Sequence, residues 1–259
     1  MGRLSDRTAL VTGASSGIGR ATALGLAAEG ARVIVSARRR ERLEEVSQEI
    51  VRVHGSDACG VLETDVRDRE DVRQAIAQLE QAGWGEIDIL VNNAGLSAGL
   101  DPLHAGLFDD WDRMVDTNVK GLLNVSRFVI PGMVARGRGH VVNIGSLAGH
   151  EVYPKGNVYC ATKYAVRALN RGLRLDLQGT GIRVTSIDPG MVETEFSLVR
   201  FHGDAERAAT VYDGMTPLTP DDVADAVIYA VTRPPHVNVE ELLLLPTDQA
   251  SATAVHRKT

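Results

Sequence analysis

Three residues in this chain have the types and spacing to move a proton. Tyr159 and Lys163 stand four positions apart, and Ser146 lies thirteen positions upstream of the tyrosine. On a helix, positions i and i+4 share a face, so helical backbone from 157 onward would set the phenol beside the ammonium. A free phenol has a pKa near ~10, too high for a base at neutral pH, and a neighbouring cation favours the phenolate. An acid or base works best when its pKa lies close to the working pH. A serine hydroxyl within reach can hold a carbonyl oxygen while the phenol gives or takes its proton. Tyr-x-x-x-Lys alone also describes an ordinary amphipathic helix with a half-buried tyrosine and a solvated lysine. A glycine-rich turn near the N-terminus is what gives the trio weight.

The elements that must position these groups alternate in type. Short apolar runs at 8–12, 32–36, 59–62, 87–91, 140–144, 183–187 and 242–245 read as strands. Amphipathic stretches at 17–29, 40–53, 69–81, 111–136, 158–178 and 221–232 read as helices. Strands alternating with helices predict βαβ units with right-handed crossovers, hence an α/β fold with a doubly wound parallel sheet. An apolar content of Ala, Val, Leu and Ile with few aromatics suits strands buried on both faces. No linker, repeat or low-complexity block interrupts the chain, so a single domain over 1–259 is expected. The irregular stretch 191–220 follows a strand end, where open α/β sheets bind ligands. It is a candidate substrate lid, with a surface-packed helical excursion as the plainer alternative. The run 242–245 reads as an interior or interface edge strand. The polar tail from Gln249 onward is expected to be disordered or tucked against another subunit.

Composition excludes several classes of function. A net charge of −6, with Arg38-Arg39-Arg40 the longest basic run, predicts no nucleic-acid binding by a basic surface. Two cysteines, Cys59 and Cys160, and scattered histidines predict neither a disulfide framework nor a metal site. Cys160 follows Tyr159, but the next residue on a helix points about 100° away, so it reads as packing. The start of the chain lacks the apolar core of a signal peptide, and no apolar run approaches the ~18 residues of a membrane span. A cytoplasmic enzyme with a small-molecule substrate is the expectation.

The segment from Gly13 through Ser15, Ser16, Gly17 and Ile18 to Gly19 joins the first strand to the first helix. Glycines there permit a tight turn and let backbone N–H groups approach a pyrophosphate at the helix N-terminus. The second strand selects the dinucleotide. A carboxylate about 20 residues beyond such a turn bonds the ribose 2′-hydroxyl of NAD. This chain has Ser36-Ala37-Arg38-Arg39 instead. Arginine pairs with a 2′-phosphate through charge-assisted bonds, so NADP(H) is predicted, with Arg38 as first choice and Arg39 as second. Asp65, with Val66 beside it, follows the third strand and is placed to accept the adenine amino group, or else to cap the next helix, a role for which Asp68 looks better placed. Asn92, Ala94 and Gly95 follow the fourth strand and would bring backbone close to the adenosine ribose.

Together these residues resemble the short-chain dehydrogenase/reductase superfamily. The match consists of Thr12-Gly13-x-x-x-Gly17-x-Gly19, Asn92-Asn93-Ala94-Gly95, Asn118, Ser146, Tyr159-x-x-x-Lys163 and Pro189-Gly190, in the family's order, over residues 7–246. The resemblance implies a seven-stranded Rossmann sheet and a homotetramer or homodimer. It also implies roles for single residues. Tyr159 is the general base in oxidation and acid in reduction. Lys163 lowers its pKa and bonds the nicotinamide ribose, and Ser146 orients the substrate oxygen. The Asn118 side chain holds a water linking Lys163 to solvent; asparagine is a poor helix former, so a distorted turn there would fit. Pro189, Gly190, Val192 and Thr194 face the nicotinamide.

Gly156-Asn157-Val158-Tyr159, Val199-Arg200-Phe201, Pro235-His236-Val237-Asn238 and His256-Arg257 resemble more closely the NADP-dependent serine/3-hydroxy acid dehydrogenase branch, also described as L-allo-threonine dehydrogenase. That branch implies hydride transfer at the 3-hydroxyl of serine, allo-threonine or 3-hydroxypropionate. Reduction of another carbonyl such as sulfoacetaldehyde is the alternative, and a non-catalytic NADP(H) sensor a remote one. An acidic substrate needs a cation; Lys155, His150 and Arg200 are available, and Arg200 is preferred because it sits in the candidate lid.

Overall fold

The structure, a computed structural model, describes residues 2–258; of the expected domain over 1–259, Met1 and Thr259 lie outside the described residues. Seven strands form one sheet: β1 (Thr8–Thr12), β2 (Arg32–Ala37), β3 (Cys59–Glu63), β4 (Ile89–Asn92), β5 (Gly139–Ile144), β6 (Ile182–Pro189) and β7 (Glu241–Leu244). Every pairing is parallel and the order is β3-β2-β1-β4-β5-β6-β7. The order reverses between β1 and β4, so the crevice at their carboxyl ends is where a ligand is expected. β7 is an edge strand, and its Leu243 is exposed.

The helices are α1 (Gly17–Ala28), α2 (Arg40–His54), α3 (Arg69–Gln81), α4 (Phe108–Val115), α5 (Leu122–Arg136), α6 (Asn157–Asp176), α7 (Phe196–Arg200), α8 (Ala205–Ala209) and α9 (Pro220–Val231). Alternation in the strands splits the core. Ala9 and Val11 of β1 and Val33 and Val35 of β2 pack with Leu26, Leu43 and Val227 from α1, α2 and α9. Leu10 and Ile34 face the other way, into Ile76, Val129 and Met133 from α3 and α5. With both faces covered, the strands read as continuous apolar runs.

Three details depart from the expected elements. The stretch 111–136 is not one α-helix: Asp116–Gly121 between α4 and α5 is a π-helix, a form found mostly at functional sites. Gly121 lies against β3's loop, where a Cβ would meet Val66 Cγ2 at 2.7 Å. The stretch 191–220 holds the short helices α7 and α8, as a helical excursion would. The tail is ordered through Lys258 rather than disordered. It folds onto its own chain: Gln249 is buried, Arg257 Nη2 donates to Val211 O at 3.0 Å, and Lys258 N donates to Gly214 O at 2.7 Å. Its polar residues find backbone partners at 211–214, which composition alone did not reveal. Among the described residues no helix is long and apolar enough to cross a membrane.

Candidate active site

A cleft runs along the carboxyl ends of the strands and brings together Gly13, Ser15, Ser16, Gly17, Ile18, Arg38, Arg39, Asp65, Val66, Ala94, Gly95, Ser146, Tyr159, Lys163, Pro189, Gly190, Val192 and Thr194. The glycine turn is built for close approach. Gly13 has φ +66°, and a Cβ there would lie 2.8 Å from Asn93 Nδ2 and 2.9 Å from Ala94 Cα. Only glycine adopts that conformation without strain. Ser16 precedes α1 without a side-chain cap, so the first N–H groups of the helix are free to meet an anion. Across the cleft, Arg39 Nη2 donates to Ser15 Oγ at 3.1 Å and Ser16 Oγ at 3.0 Å, while Nη1 pairs with Glu195 Oε2 at 3.2 Å. This donor set, two hydroxyls and a guanidinium beside a helix N-terminus, fits a phosphate. Arg38 lines the same end, but Arg39 makes the contacts to the turn.

Three expected cofactor residues behave otherwise. Gly19 lies outside the cleft and serves packing: a Cβ would sit 2.4 Å from Gly13 O and Asn93 Nδ2. Asn92 is buried and turned away, donating to Ser126 Oγ at 3.0 Å and Asn143 Oδ1 at 2.9 Å. Strand alternation sends it to the α5 side, and its neighbour Asn93 lines the cleft instead, with Nδ2 donating to Thr12 O at 2.8 Å. Asp65 lines the cleft, but its carboxylate takes a pair of bonds from Arg67. Burial would push that carboxyl up, yet the Arg67 hydrogen bonds prevail and hold it low. Asp68 caps α3, accepting from Glu70 N and Asp71 N.

At the other end, α6 carries Tyr159 and Lys163 on one face, both buried. Lys163 Nζ donates to Ile144 O at 2.9 Å and lies 5.9 Å from the Tyr159 ring centroid. Ser146 ends the loop after β5 and its Oγ accepts from Ala148 N at 3.1 Å. Burial pushes the Tyr159 phenol up and neighbouring Tyr153 adds to this, while Arg200 and a hydrogen bond to Ser146 pull it down. Burial lowers the Lys163 ammonium itself to about 8, with Asp188 opposing. A second cation stands beside the phenol: the Arg200 guanidinium carbon lies 5.4 Å from the Tyr159 ring centroid.

Asn118 sits in the π-helix, as a distorted turn would require, but its side chain is otherwise employed. Nδ2 donates to Leu96 O at 2.8 Å and Thr162 Oγ1 at 3.0 Å, and Oδ1 accepts from Leu96 N at 2.8 Å. Both amide protons are used, so it pins the loop after β4 to α6. Of the candidate cations, Lys155 is exposed at φ +66° and His150 pairs with Asp188. Arg200 ends α7, and its Nη2 donates to Tyr153 Oη at 3.0 Å. Its Nε is buried without a partner. Phe196 stacks edge-on against Tyr159 with centroids 5.6 Å apart. No motif marked Tyr153 and Phe196; Tyr153 lies in the loop just before α6, and α7 brings Phe196 to Tyr159. Cys160 is fully buried beside Ala148, as packing requires.

A family model for short chain dehydrogenase matches residues 7–203. The chain belongs to the short-chain dehydrogenase family. It is 47% identical over 250 residues to the NADP-dependent 3-hydroxy acid dehydrogenase YdfG of Salmonella typhi, covering 96% of this chain and 98% of that one. It is 46% identical over 245 residues to the serine 3-dehydrogenase of Rhizobium radiobacter, covering 95% and 96%. A solved closed form of serine dehydrogenase complexed with NADP+ superposes with a TM-score of 0.91 at 46% identity, covering 97% of this chain and 100% of that one.

Proposed function

We propose that this short-chain dehydrogenase transfers hydride between NADP(H) and the 3-hydroxyl or carbonyl of a small hydroxy acid such as serine, allo-threonine or 3-hydroxypropionate. The likeness to the 3-hydroxy acid and serine dehydrogenases supports the reading. The single observation that carries the acid specificity is Arg200, a half-buried cation beside the phenol with an unpaired donor. Such a donor costs stability unless a ligand uses it.

The turn from Gly13 to Gly17 would hold the pyrophosphate, and Ser15, Ser16, Arg38 and Arg39 the 2′-phosphate. NADP(H), when bound, supplies or takes the hydride. Tyr159 donates a proton to the substrate oxygen in reduction and removes it in oxidation, and Ser146 holds that oxygen. A phenol pushed up by burial is fully protonated at neutral pH and suited to the acid role; removing its proton in oxidation requires the nearby positive charges of Arg200 and Lys163. Arg200 and Tyr153 together hold the acid group. Phe196 and the rest of 191–220 act as the lid that excludes water. The assembly is a homotetramer or homodimer, and the buried free thiols Cys59 and Cys160 suit the reducing cytoplasm.

A substrate panel tests the assignment. With NADP(H), kcat/KM is expected to favour 3-hydroxy acids over the corresponding neutral alcohols by at least about tenfold, the worth of one charged hydrogen bond. Sulfoacetaldehyde, whose sulfonate would meet the same arginine, belongs in the panel as the competing substrate. Equal turnover of neutral and acidic members would overturn the acid reading.

A further inference from the structure

Immediately before Pro189 stands a carboxylate that the mechanism above leaves without a task. Asp188 is 1% exposed. One oxygen accepts from Ser186 Oγ, and the other pairs with His150 Nε2 at 2.7 Å. It presses on the turn that carries Ser146, for a Cβ on Gly145 would overlap Asp188 Oδ1 at 1.9 Å, and Gly145 N donates to Ile187 O at 2.8 Å. The residue before that glycine, Ile144, supplies the carbonyl that accepts from Lys163 Nζ. Carboxylate and ammonium therefore bear on adjacent residues of one turn, Gly145 and Ile144.

Their charges are coupled. Burial lowers the Lys163 ammonium, and Asp188 is the group that opposes it. Burial likewise pushes Asp188 up, with Ser186 and His150 holding it down and Glu241 adding to the push. The remaining neighbours are accounted for. Tyr164 of α6 donates its hydroxyl to His150 O, and Arg167 Nε of α6 pairs with Glu241 Oε2 of β7 at 3.0 Å. Around Lys163 stand Tyr159 on its own helix and Asn118 from the π-helix. His150, Asp188 and Glu241 offer three ligand atoms within 4.8 Å of one another, but Arg167 already neutralises Glu241. That charge balance disfavours a metal ion and suits an internal counter-ion.

We propose that Asp188 and His150 form a charge couple that keeps Lys163 an ammonium: the Asp188 carboxylate packs on the turn at Gly145, next to the Ile144 carbonyl that Lys163 bonds, and the His150 hydrogen bond keeps that carboxylate ionised. Both are positioning residues acting through Lys163. The proposal rests on the reading of Tyr159 and Lys163 as the proton-transfer pair.

The test is the pH profile of kcat/KM in the reductive direction, where both the phenol and the ammonium must carry their protons. The whole enzyme is used with NADPH and the best aldehyde of the panel. In Asp188→Asn the alkaline limb should move down by about one pH unit, a roughly fivefold loss at the wild-type midpoint that approaches tenfold above it. His150→Phe should move it the same way by less, and His150→Gln, which keeps a donor at the Nε2 position, should restore the wild-type limb. Profiles that merely scale down in parallel would overturn the proposal. If Asp188→Asn does not fold, the His150 pair decides, since that side chain reaches the surface. Tyr159→Phe run alongside separates the two readings. An active Tyr159→Phe would sink the proton-transfer pair itself, whereas an inactive one with unshifted limbs in the other variants would sink the charge couple alone.

Discussion

The two ends of the cleft are made differently. The nucleotide end consists of short consecutive segments at the strand ends, around Gly13, Arg38 and Arg39, Asp65 and Ala94, and works largely through backbone and surface charge. The other end consists of single side chains from separated parts of the chain: Tyr159 from α6 and Phe196 from α7 line it, with Tyr153 from the loop before α6 and Arg200 from α7 packed against them. At the first end Arg39 is already paired with Glu195 and two serines. At the second, Arg200 keeps a buried donor unpaired and raises no ion pair with a carboxylate among the described contacts. A site made of backbone is stable without its ligand, because turn and helix satisfy most of its groups. A site made of buried charge is held at a cost and is better suited to choosing among substrates.

Breaking each end separately should give different signatures. The largest effect is expected from Tyr159→Phe, which should lower kcat by about 10²–10⁴-fold, the usual worth of a positioned acid or base, while NADPH fluorescence titration shows binding nearly intact. Wild-type-like turnover would refute the assignment. Arg200→Ala should raise KM for serine by about ten- to a hundredfold, since charged hydrogen bonds contribute ~1.5–3 kcal/mol, and leave NADPH affinity alone. A rise below about threefold would argue against a direct ionic contact. Arg39→Ala should do the converse, cutting the preference for NADP over NAD by about tenfold, read from the ratio of kcat/KM values with each cofactor.

The smallest effect lies in the frame beneath both ends. His140 of β5 is fully buried, donates through Nε2 to Thr185 Oγ1 at 2.7 Å, and has its Nδ1 unpaired. Burial, with Arg183 adding, pushes its pKa well below the ordinary value. The folded chain therefore keeps His140 neutral where the unfolded chain takes up a proton. Its contribution is fully present above the unfolded value near ~6.5 and is lost as pH falls below it, by up to ~1.4 kcal/mol per pH unit. Urea titrations over that range should show a shallower acid slope in His140→Gln, with both ends of the cleft still functional at neutral pH. An unchanged slope would assign the acid sensitivity elsewhere.

What could be read without coordinates follows the same division. The strands were legible to within about two residues because burial on both faces leaves apolar runs that need no partner to be recognised. β4 begins at Ile89, two residues later than its apolar run, because Asp88 follows Ile87 and takes part in a charged cluster with Arg7 and Arg138. The choice between Asn92 and Asn93 was not legible, since adjacent residues on a strand end point to opposite faces and only the register decides which meets the cleft.

Seven apolar runs, a turn of glycines, two arginines where a carboxylate would select NAD, and a tyrosine four residues before a lysine were determined by the sequence alone. Each depends on neighbours within a few positions, through steric freedom at Gly13, charge at Arg38 and Arg39, and helical periodicity at Tyr159. Only the tertiary structure decided that Arg200 joins Lys163 beside the phenol. It also decided that Asp188 packs against the turn after β5, and that the tail returns to bond residues 211–214. Those relations are set by burial and by contacts between distant segments, and both burial and distance come into being only when the chain is packed.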